Sequence, residues 1–386
     1  MISVENFYWM IWENLLKDTA FGNSFYYPFG SRAQIAREMY GNKPQSRHGH
    51  VLHFDQEPMY HSDVYSISQG SEFNRLKYPR LLANSEHSVI KREICEDLDL
   101  LDWYYFYHGF AALDWYRDGA RIKSDIDVVN KFLCLNNLVD RKRSHRMALI
   151  ARLIRKDLLA YGTVSFHGDQ FQCQREVEDP ASHLGDRDKS LISETMCHNT
   201  LLPCTVDELV SATCSAHFGV QEYRMRQQSF LHVVTESVYF DQKLHLTEKI
   251  FQPIVTARPF ILAAAPGNLA YLQSYGFRTF NAWIDESYDQ EQDDSTRLDM
   301  ISEQIAKICD QPLCQLRDML KDMTDTLQFN KHHFYTLFRH RIIDELIDNF
   351  DDCIKIWNNG RVRYNWPRLQ AISDIKKHLK ADFNLS

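Results

Sequence analysis

Apolar segments and capped helical segments alternate without a break from Ser229 to Tyr288, and this pattern predicts the order β-loop-α-β-α-β. The first apolar run, Phe230 to Val234, predicts a buried strand, and Phe260 to Ala265 predicts a second. Between them Thr247 occupies the N-cap position of a helix that Arg258 and Pro259 end, and Gly276 ends a second helix that follows the second strand. Strands that alternate with helices indicate a parallel sheet.

Polar residues follow the first of these strands and begin the next helix. Glu236 lies just beyond the strand, and Thr247, Glu248 and Lys249 form the helix start. In a parallel sheet both positions lie on the rim beyond the carboxyl ends of the strands, where ligands bind. Backbone NH groups and Lys249 suit a phosphate, so the pattern predicts a nucleotide site. The same residues also occur at ordinary helix starts, where Glu248 complements the dipole and Lys249 is solvated.

The segment from Glu236 through LTEKIFQPIVTARPFI resembles the donor-binding segment of nucleotide-sugar glycosyltransferases that have two Rossmann domains, the GT-B class. It is most similar to the α1,3-fucosyltransferases and related viral or phage glycosyltransferases, in which Glu-Asn-Ser precedes Thr-Glu-Lys at a helix start. Here Ser237 follows Glu236 directly. The resemblance implies that Lys249 and the helix start at Thr247 hold the diphosphate, that Glu248 accepts ribose hydroxyls, and that Glu236 orients the sugar or ribose.

The donor domain is predicted to begin with the strand Lys131 to Leu135, which is followed by Asn136. A helix is predicted from His145 to Tyr161 because its apolar positions repeat with a period near 3.6. In GT-B enzymes a basic residue after this strand contacts the diphosphate. The resemblance implies that Arg146 has this role here, with Arg143 as the second choice. A solvated basic loop is the alternative.

Three shorter apolar runs predict a first parallel sheet. Val51 to Phe54 ends in Asp55 and Glu57, Leu81 to Ala83 ends in Asn84, and Trp103 to Tyr107 ends in His108. Strand ends hold the reactive groups of such domains, so Glu57, His108 and Asp55 are the candidate catalytic residues on the acceptor side. Glu57 is the first candidate for the base. A turn carboxylate at Glu57 and a half-buried ring at His108 are the alternatives.

A chain of 386 residues exceeds one ordinary core, which predicts more than one domain. We predict an acceptor domain at 1–128, a donor domain at 129–345, and helices at 346–386 that pack back on the first domain. The predicted fold class is α/β, with two Rossmann-like domains facing a central cleft and a C-terminal helix that crosses back. The polar stretch Gly168 to Leu201 is predicted to loop out.

Composition narrows the function classes. The net charge of −8 argues against binding by general neutralisation of phosphates. No apolar run approaches the length of a membrane span, and the N-terminal segment lacks the features of a signal peptide. Nine scattered cysteines without a CxxC motif indicate reduced thiols, so we predict a cytoplasmic protein.

Cofactor and metal motifs are missing from the sequence: it has no GxGxxG, GxxxxGK[ST], GxSxG or HExxH, and its histidine spacing matches no zinc pattern. We therefore predict no cofactor and no metal, with a nucleoside-diphosphate sugar as co-substrate.

The predicted function is metal-independent transfer of a sugar from a nucleotide sugar donor to a hydroxyl of a glycan or other acceptor. One alternative is a phage-type glycosyltransferase that modifies hydroxymethylated bases of DNA, which requires a local basic groove. The other is a non-catalytic module that binds nucleotide sugars or glycans. The sequence leaves open the sugar, the acceptor, the stereochemical course and the oligomeric state.

Overall fold

The computed structural model of the chain describes residues 11–16, 23–26, 50–54, 58–59, 80–121, 127–139, 141–199, 202–204, 223 and 226–357. It consists of two compact units. The first holds the described residues up to Arg117 together with those from Tyr335 onward, and the second runs from Asp118 to Phe334. The chain therefore leaves the first unit and later returns to it.

The first unit contains a four-stranded parallel sheet in the order β1-β2-β3-β5. Its strands, with the two-residue β4, are β1 (Asn23–Tyr26), β2 (His50–Phe54), β3 (Arg80–Asn84), β4 (His87–Ser88) and β5 (Leu101–Tyr104). Helix α1 (Val89–Asp97) begins at the N-cap Ser88, whose side chain accepts a hydrogen bond from the backbone NH of Lys91. Helix α2 (Tyr107–Trp115) follows β5. A five-residue π-helix, Trp12–Leu16, precedes the sheet.

A long C-terminal helix, α11 (Arg339–Trp357), packs against β5 and α2 in this unit. The indole NH of Trp103 donates to the carbonyl of Leu346 at 3.1 Å, and the side chain of Asn349 donates to the carbonyl of Tyr104 at 2.8 Å. The rings of Trp103 and Phe350 lie 4.9 Å apart. The helix thus contributes side chains to the core of a sheet made more than two hundred residues earlier.

The second unit contains a four-stranded parallel sheet in the order β10-β8-β6-β7. Its strands, with the two-residue β9, are β6 (Asn130–Asn136), β7 (Gly162–Phe166), β8 (Ser229–Thr235), β9 (Lys243–Leu244) and β10 (Phe260–Ala263). Every residue of β8 is buried, as expected for a strand covered on both faces. The apolar runs that begin at Lys131 and Phe230 therefore form the two central strands, β6 and β8, and the run that begins at Phe260 forms β10 at one end of the described strand order.

The helices of the second unit are α3 (His145–Arg155), α4 (Gln170–Glu178), α5 (Asp186–Thr195), α6 (Phe251–Thr256), α7 (Asn268–Ser274), α8 (Asp294–Cys309), α9 (Leu313–Asp322) and α10 (Thr324–His333). Helices α8 and α9 pack against the sheet, and α3 packs against α5 and α8. Short 3-10 turns occur at Arg117–Arg121, Arg141–Arg143, Leu159–Tyr161, Glu248–Ile250 and Ser287–Gln290. A π-helix, Phe334–Phe338, precedes α11.

The strand order of the second sheet determines where a ligand site is expected. From β6 the chain moves to β7 on one side, whereas β8 joins β6 on the other side. The carboxyl ends of β6 and β8 therefore flank the point at which the winding reverses. Open parallel sheets bind ligands at such a point.

Three predicted elements differ in the structure. The polar stretch from Gly168 to Leu201 contains α4 and α5, which bury Cys173, Leu191 and Ile192. The helix predicted from His145 to Tyr161 ends at Arg155. The strand predicted directly after Gly276 is absent from the described residues 277–286, because the ring of Phe280 packs edge-on against Phe260 and its backbone NH donates to the side chain of Glu286.

Among the helices that the structure describes, none has the length and apolar content needed to cross a membrane.

Candidate functional site

The carboxyl ends of β6, β7 and β8 are joined by the side chain of Asn136, which is fully buried. Its Oδ1 accepts a hydrogen bond from Oγ1 of Thr235 on β8 at 2.8 Å. Its Nδ2 donates to the carbonyl of Ser165 on β7 at 3.3 Å. Asn136 therefore fixes the edge of the sheet at the winding reversal, with little surface left for a ligand.

Arg146, in the first turn of α3, supports the carboxyl ends of the same strands through hydrogen bonds. Its guanidinium donates to the carbonyls of Leu138 at 2.6 Å, Thr235 at 2.9 Å and Glu236 at 3.2 Å. Burial and, to a smaller extent, the charge of Arg143 lower the pKa of Arg146 to about 10, and Glu236 opposes the change. Because both terminal nitrogens bond backbone carbonyls, Arg146 acts on this edge mainly as a buried support and a source of positive charge.

Glu236 closes the loop that leads from β8 to the next helix. The side chain is fully buried; Oε1 accepts from the backbone NH of Thr247 at 3.1 Å, and Oε2 accepts from its hydroxyl at 2.5 Å. Such charge-assisted bonds are the strong ones in proteins. The two ends of the loop are thus held together, and both carboxylate oxygens are engaged within the protein.

The turn that follows carries two residues of the cluster that are partly exposed to solvent. Thr247 is the N-cap of the 3-10 turn Glu248–Ile250, as the sequence predicts. Nζ of Lys249 donates to Oε1 of Glu248 at 3.0 Å and to Oγ1 of Thr247 at 3.1 Å. The side chains of Glu248 and Lys249 are 16% and 34% exposed. An incoming ligand can therefore contact this pair at the surface of the cluster.

Positive charge dominates the cluster. Arg143 ends the 3-10 turn just before α3, and its charge lowers the pKa of Arg146. Together with Lys249 they provide three cations against the carboxylates of Glu236 and Glu248, which also act on Arg146. Because the two carboxylates are paired within the protein, the three cations leave a net positive charge beside the N-terminus of α3. This arrangement favours an anion.

Sequence reasoning missed His145, which lies next to Arg146 and is fully buried. Its ring stacks on Tyr239 with centroids 4.6 Å apart and planes 7° apart. Burial lowers the pKa of His145 well below its usual value, Arg146 adds to the shift, and the backbone of Glu236 opposes it. Among the described residues, none forms a hydrogen bond of normal geometry with the ring. The residue is therefore neutral. Its only sequence signal is its position in the first turn of α3.

The candidate catalytic residues of the first unit are less defined by the structure. Asp55 and Glu57 lie outside the described residues. The residue Met59, just beyond them, donates its backbone NH to Oε2 of Glu86 at 2.8 Å. Glu86 is fully buried and also accepts from the hydroxyl of Ser88 at 2.6 Å. Sequence reasoning overlooked Glu86 because it stands in a loop without an apolar pattern.

His108 does not end a strand. The predicted strand Trp103 to Tyr107 stops at Tyr104, because the hydroxyl of Ser85 donates to the carbonyl of Tyr105 and accepts from the backbone NH of Tyr107. His108 therefore lies in the first turn of α2 and is only 4% exposed. The prediction of His108 at a strand end is wrong.

Within the described ranges, no three or more histidine, cysteine, aspartate or glutamate side chains are grouped so that they could hold a metal ion. No family model matches the sequence, and neither a curated protein nor a solved structure matches it.

Proposed function

We propose that this protein is a glycosyltransferase that transfers a sugar from a nucleoside-diphosphate sugar to an acceptor hydroxyl without a metal. One observation carries the proposal: the predicted donor residues meet where the winding of the second sheet reverses. They come from four separate segments of the chain and are connected by hydrogen bonds or by mutual charge effects: Asn136, Arg143, Arg146, Glu236, Thr247, Glu248 and Lys249.

In this proposal the residues divide by burial into two roles. Lys249 and Arg143, with the N-terminal NH groups of α3, bind the diphosphate and stabilise the charge of the leaving group. Glu248 accepts the ribose hydroxyls. The buried residues Asn136, Arg146 and Glu236 position the strand ends and the Thr247 turn, since their polar atoms are bonded within the protein.

The acceptor side of the proposal belongs to the first unit. Glu57 is the proposed base that takes the proton of the acceptor hydroxyl, with Asp55 as the other candidate. The buried carboxylate of Glu86 supports this assignment because it holds the backbone of Met59, two residues after Glu57. Two Rossmann-like domains of the GT-B kind complete the proposal.

The experiment that tests the function is a panel of nucleotide sugars assayed for release of nucleoside diphosphate, with glycan acceptors and with hydroxymethylated DNA. Release that depends on a glycan or other hydroxyl acceptor supports the proposal. Turnover that requires DNA would replace it with the base-modifying enzyme. Donor binding without turnover on any acceptor would replace it with the binding module.

Substitution of Lys249 by alanine tests the donor site. Loss of a hydrogen bond from a charged group costs about 1.5 to 3 kcal/mol, so we expect donor affinity to fall roughly 10- to 150-fold with the fold intact. Calorimetry with the nucleoside diphosphate measures this change in affinity. The matched control is Lys321→Ala, which removes an ion pair with Asp318 from the same unit. Equal affinities in the wild type and Lys249→Ala would contradict the assignment.

A further inference from the structure

A stacked pair of rings borders the cluster just described. The imidazole of His183 lies parallel to the ring of Phe240, with centroids 5.2 Å apart and planes 16° apart. His183 is exposed, and Phe240 is half-buried. The pair therefore presents a flat aromatic surface to solvent, which the proposed roles of the donor residues do not use.

Two neighbouring rings hold Phe240 in place within the protein. Its ring meets Tyr239 edge-on at 5.5 Å and His145 edge-on at 5.8 Å. Tyr239 is itself fixed, since its hydroxyl donates to the carbonyl of Asp294 at 2.9 Å and the guanidinium of Arg297 lies 4.2 Å from its ring centroid. A surface aromatic held in this way binds a flat ligand with little further loss of conformational entropy.

The same contacts place the ring pair beside the anion-binding residues. Phe240 belongs to the loop that Glu236 and Thr247 close. His145, which Phe240 contacts, immediately precedes Arg146, and Arg146 bonds the carbonyl of Glu236. A ligand whose phosphates lie near Arg143 and Lys249 thus has an aromatic surface next to its binding site.

We propose that His183 and Phe240 form the stacking surface for the base of the nucleotide. This inference rests on the proposed function and adds the ligand class: a nucleoside diphosphate whose purine or pyrimidine ring lies on the ring pair. Every base has a π-face, so stacking provides affinity without choosing among bases. A phosphate group has no such face, and inorganic pyrophosphate therefore gains nothing from the pair.

The test compares two probes, inorganic pyrophosphate and a series of nucleoside diphosphates, by calorimetry on the full chain. Phe240→Leu and His183→Ala are each expected to lower the affinity for every nucleoside diphosphate by roughly 5- to 150-fold and to leave the affinity for pyrophosphate unchanged. Phe171→Leu, at an aromatic that is 73% exposed elsewhere in the unit, is the matched control and should change neither affinity. Nucleoside diphosphate, but not pyrophosphate, should also shift the ring-proton resonances of His183.

Each outcome bears on a different claim. Unchanged nucleoside diphosphate affinity in both variants overturns the stacking surface while leaving the donor site in place. An equal loss for nucleoside diphosphate and pyrophosphate also overturns it, because the substitutions would then act through the fold or the anion site. A wild-type protein that binds no nucleotide overturns the proposed function and the stacking surface with it.

Discussion

The free energy of unfolding of the second unit is expected to fall steeply as the pH is lowered from about 7 to about 5. Burial lowers the pKa of His232 to about 3 and that of His145 well below its usual value. The unfolded chain binds protons below about pH 6.5, whereas the folded chain does not bind them at these two positions until much lower pH. The contribution of each histidine to the free energy of unfolding is thus fully present above about pH 6.5. Below that pH it is lost by about 1.4 kcal/mol per pH unit for each histidine.

Chemical denaturation at a series of pH values measures this slope. The variants His232→Gln and His145→Gln are each expected to reduce the slope by about 1.4 kcal/mol per pH unit, whatever they do to stability at pH 7. The raised pKa values of Glu286, Asp289 and Asp294 act in the opposite direction and are common to all variants. Val233→Ala, a buried neighbour of His232, is the control and should keep the wild-type slope. An unaltered slope in both histidine variants would disprove the explanation.

Arg146→Ala is expected to lower the free energy of unfolding of the second unit by about 2 to 6 kcal/mol. Two fully buried carbonyls, of Thr235 and Glu236, lose their donor, and an unsatisfied buried group costs about 1 to 3 kcal/mol. Denaturant titration monitored by circular dichroism measures the loss, and Arg146→Lys should recover part of it.

The control for Arg146 is Arg155→Ala, at an exposed position on the same helix, where a change within about 0.5 kcal/mol is expected. Nucleotide binding separates the two possible roles of Arg146. Wild-type stability with weakened nucleotide binding in Arg146→Ala would mean that Arg146 contacts the diphosphate directly, as the resemblance to glycosyltransferases implies, and that its bonds to backbone carbonyls contribute little to stability.

The central strands were predictable because their apolar runs are continuous and end in polar residues. The N-cap at Thr247 was also predictable, because a hydroxyl side chain there precedes an acidic residue at the start of the turn. Helices α4 and α5 were not, because each buries only a few side chains, such as Cys173 and Leu191, among many charges. The period of such a helix is hidden in its polar residues, so local pattern indicates a loop.

That these residues lie together was predictable, whereas the bonds among them were not. Strand ends contribute Asn136 and Glu236, and the parallel-sheet rule alone brings them to one edge. The sequence does not reveal that Glu236 bonds Thr247 or that Arg146 bonds residues 89 and 90 positions away. Those partners depend on β8 lying next to β6 although β7 intervenes in the chain. Three-dimensional strand order therefore decides which polar groups reach a ligand and which support the edge.

The return of the chain to its first unit sets an order of assembly during translation. Trp103 and Tyr104 meet Leu346 and Asn349 only after 243 and 245 further positions have been synthesised. The second unit lies wholly within that interval, so its contacts form while the first sheet still lacks a helix of its core. Domains generally fold from the N-terminus during synthesis; here the unit made later is expected to finish first. A released chain that ends between Phe334 and Leu346 should therefore hold a folded second unit and an incomplete first one.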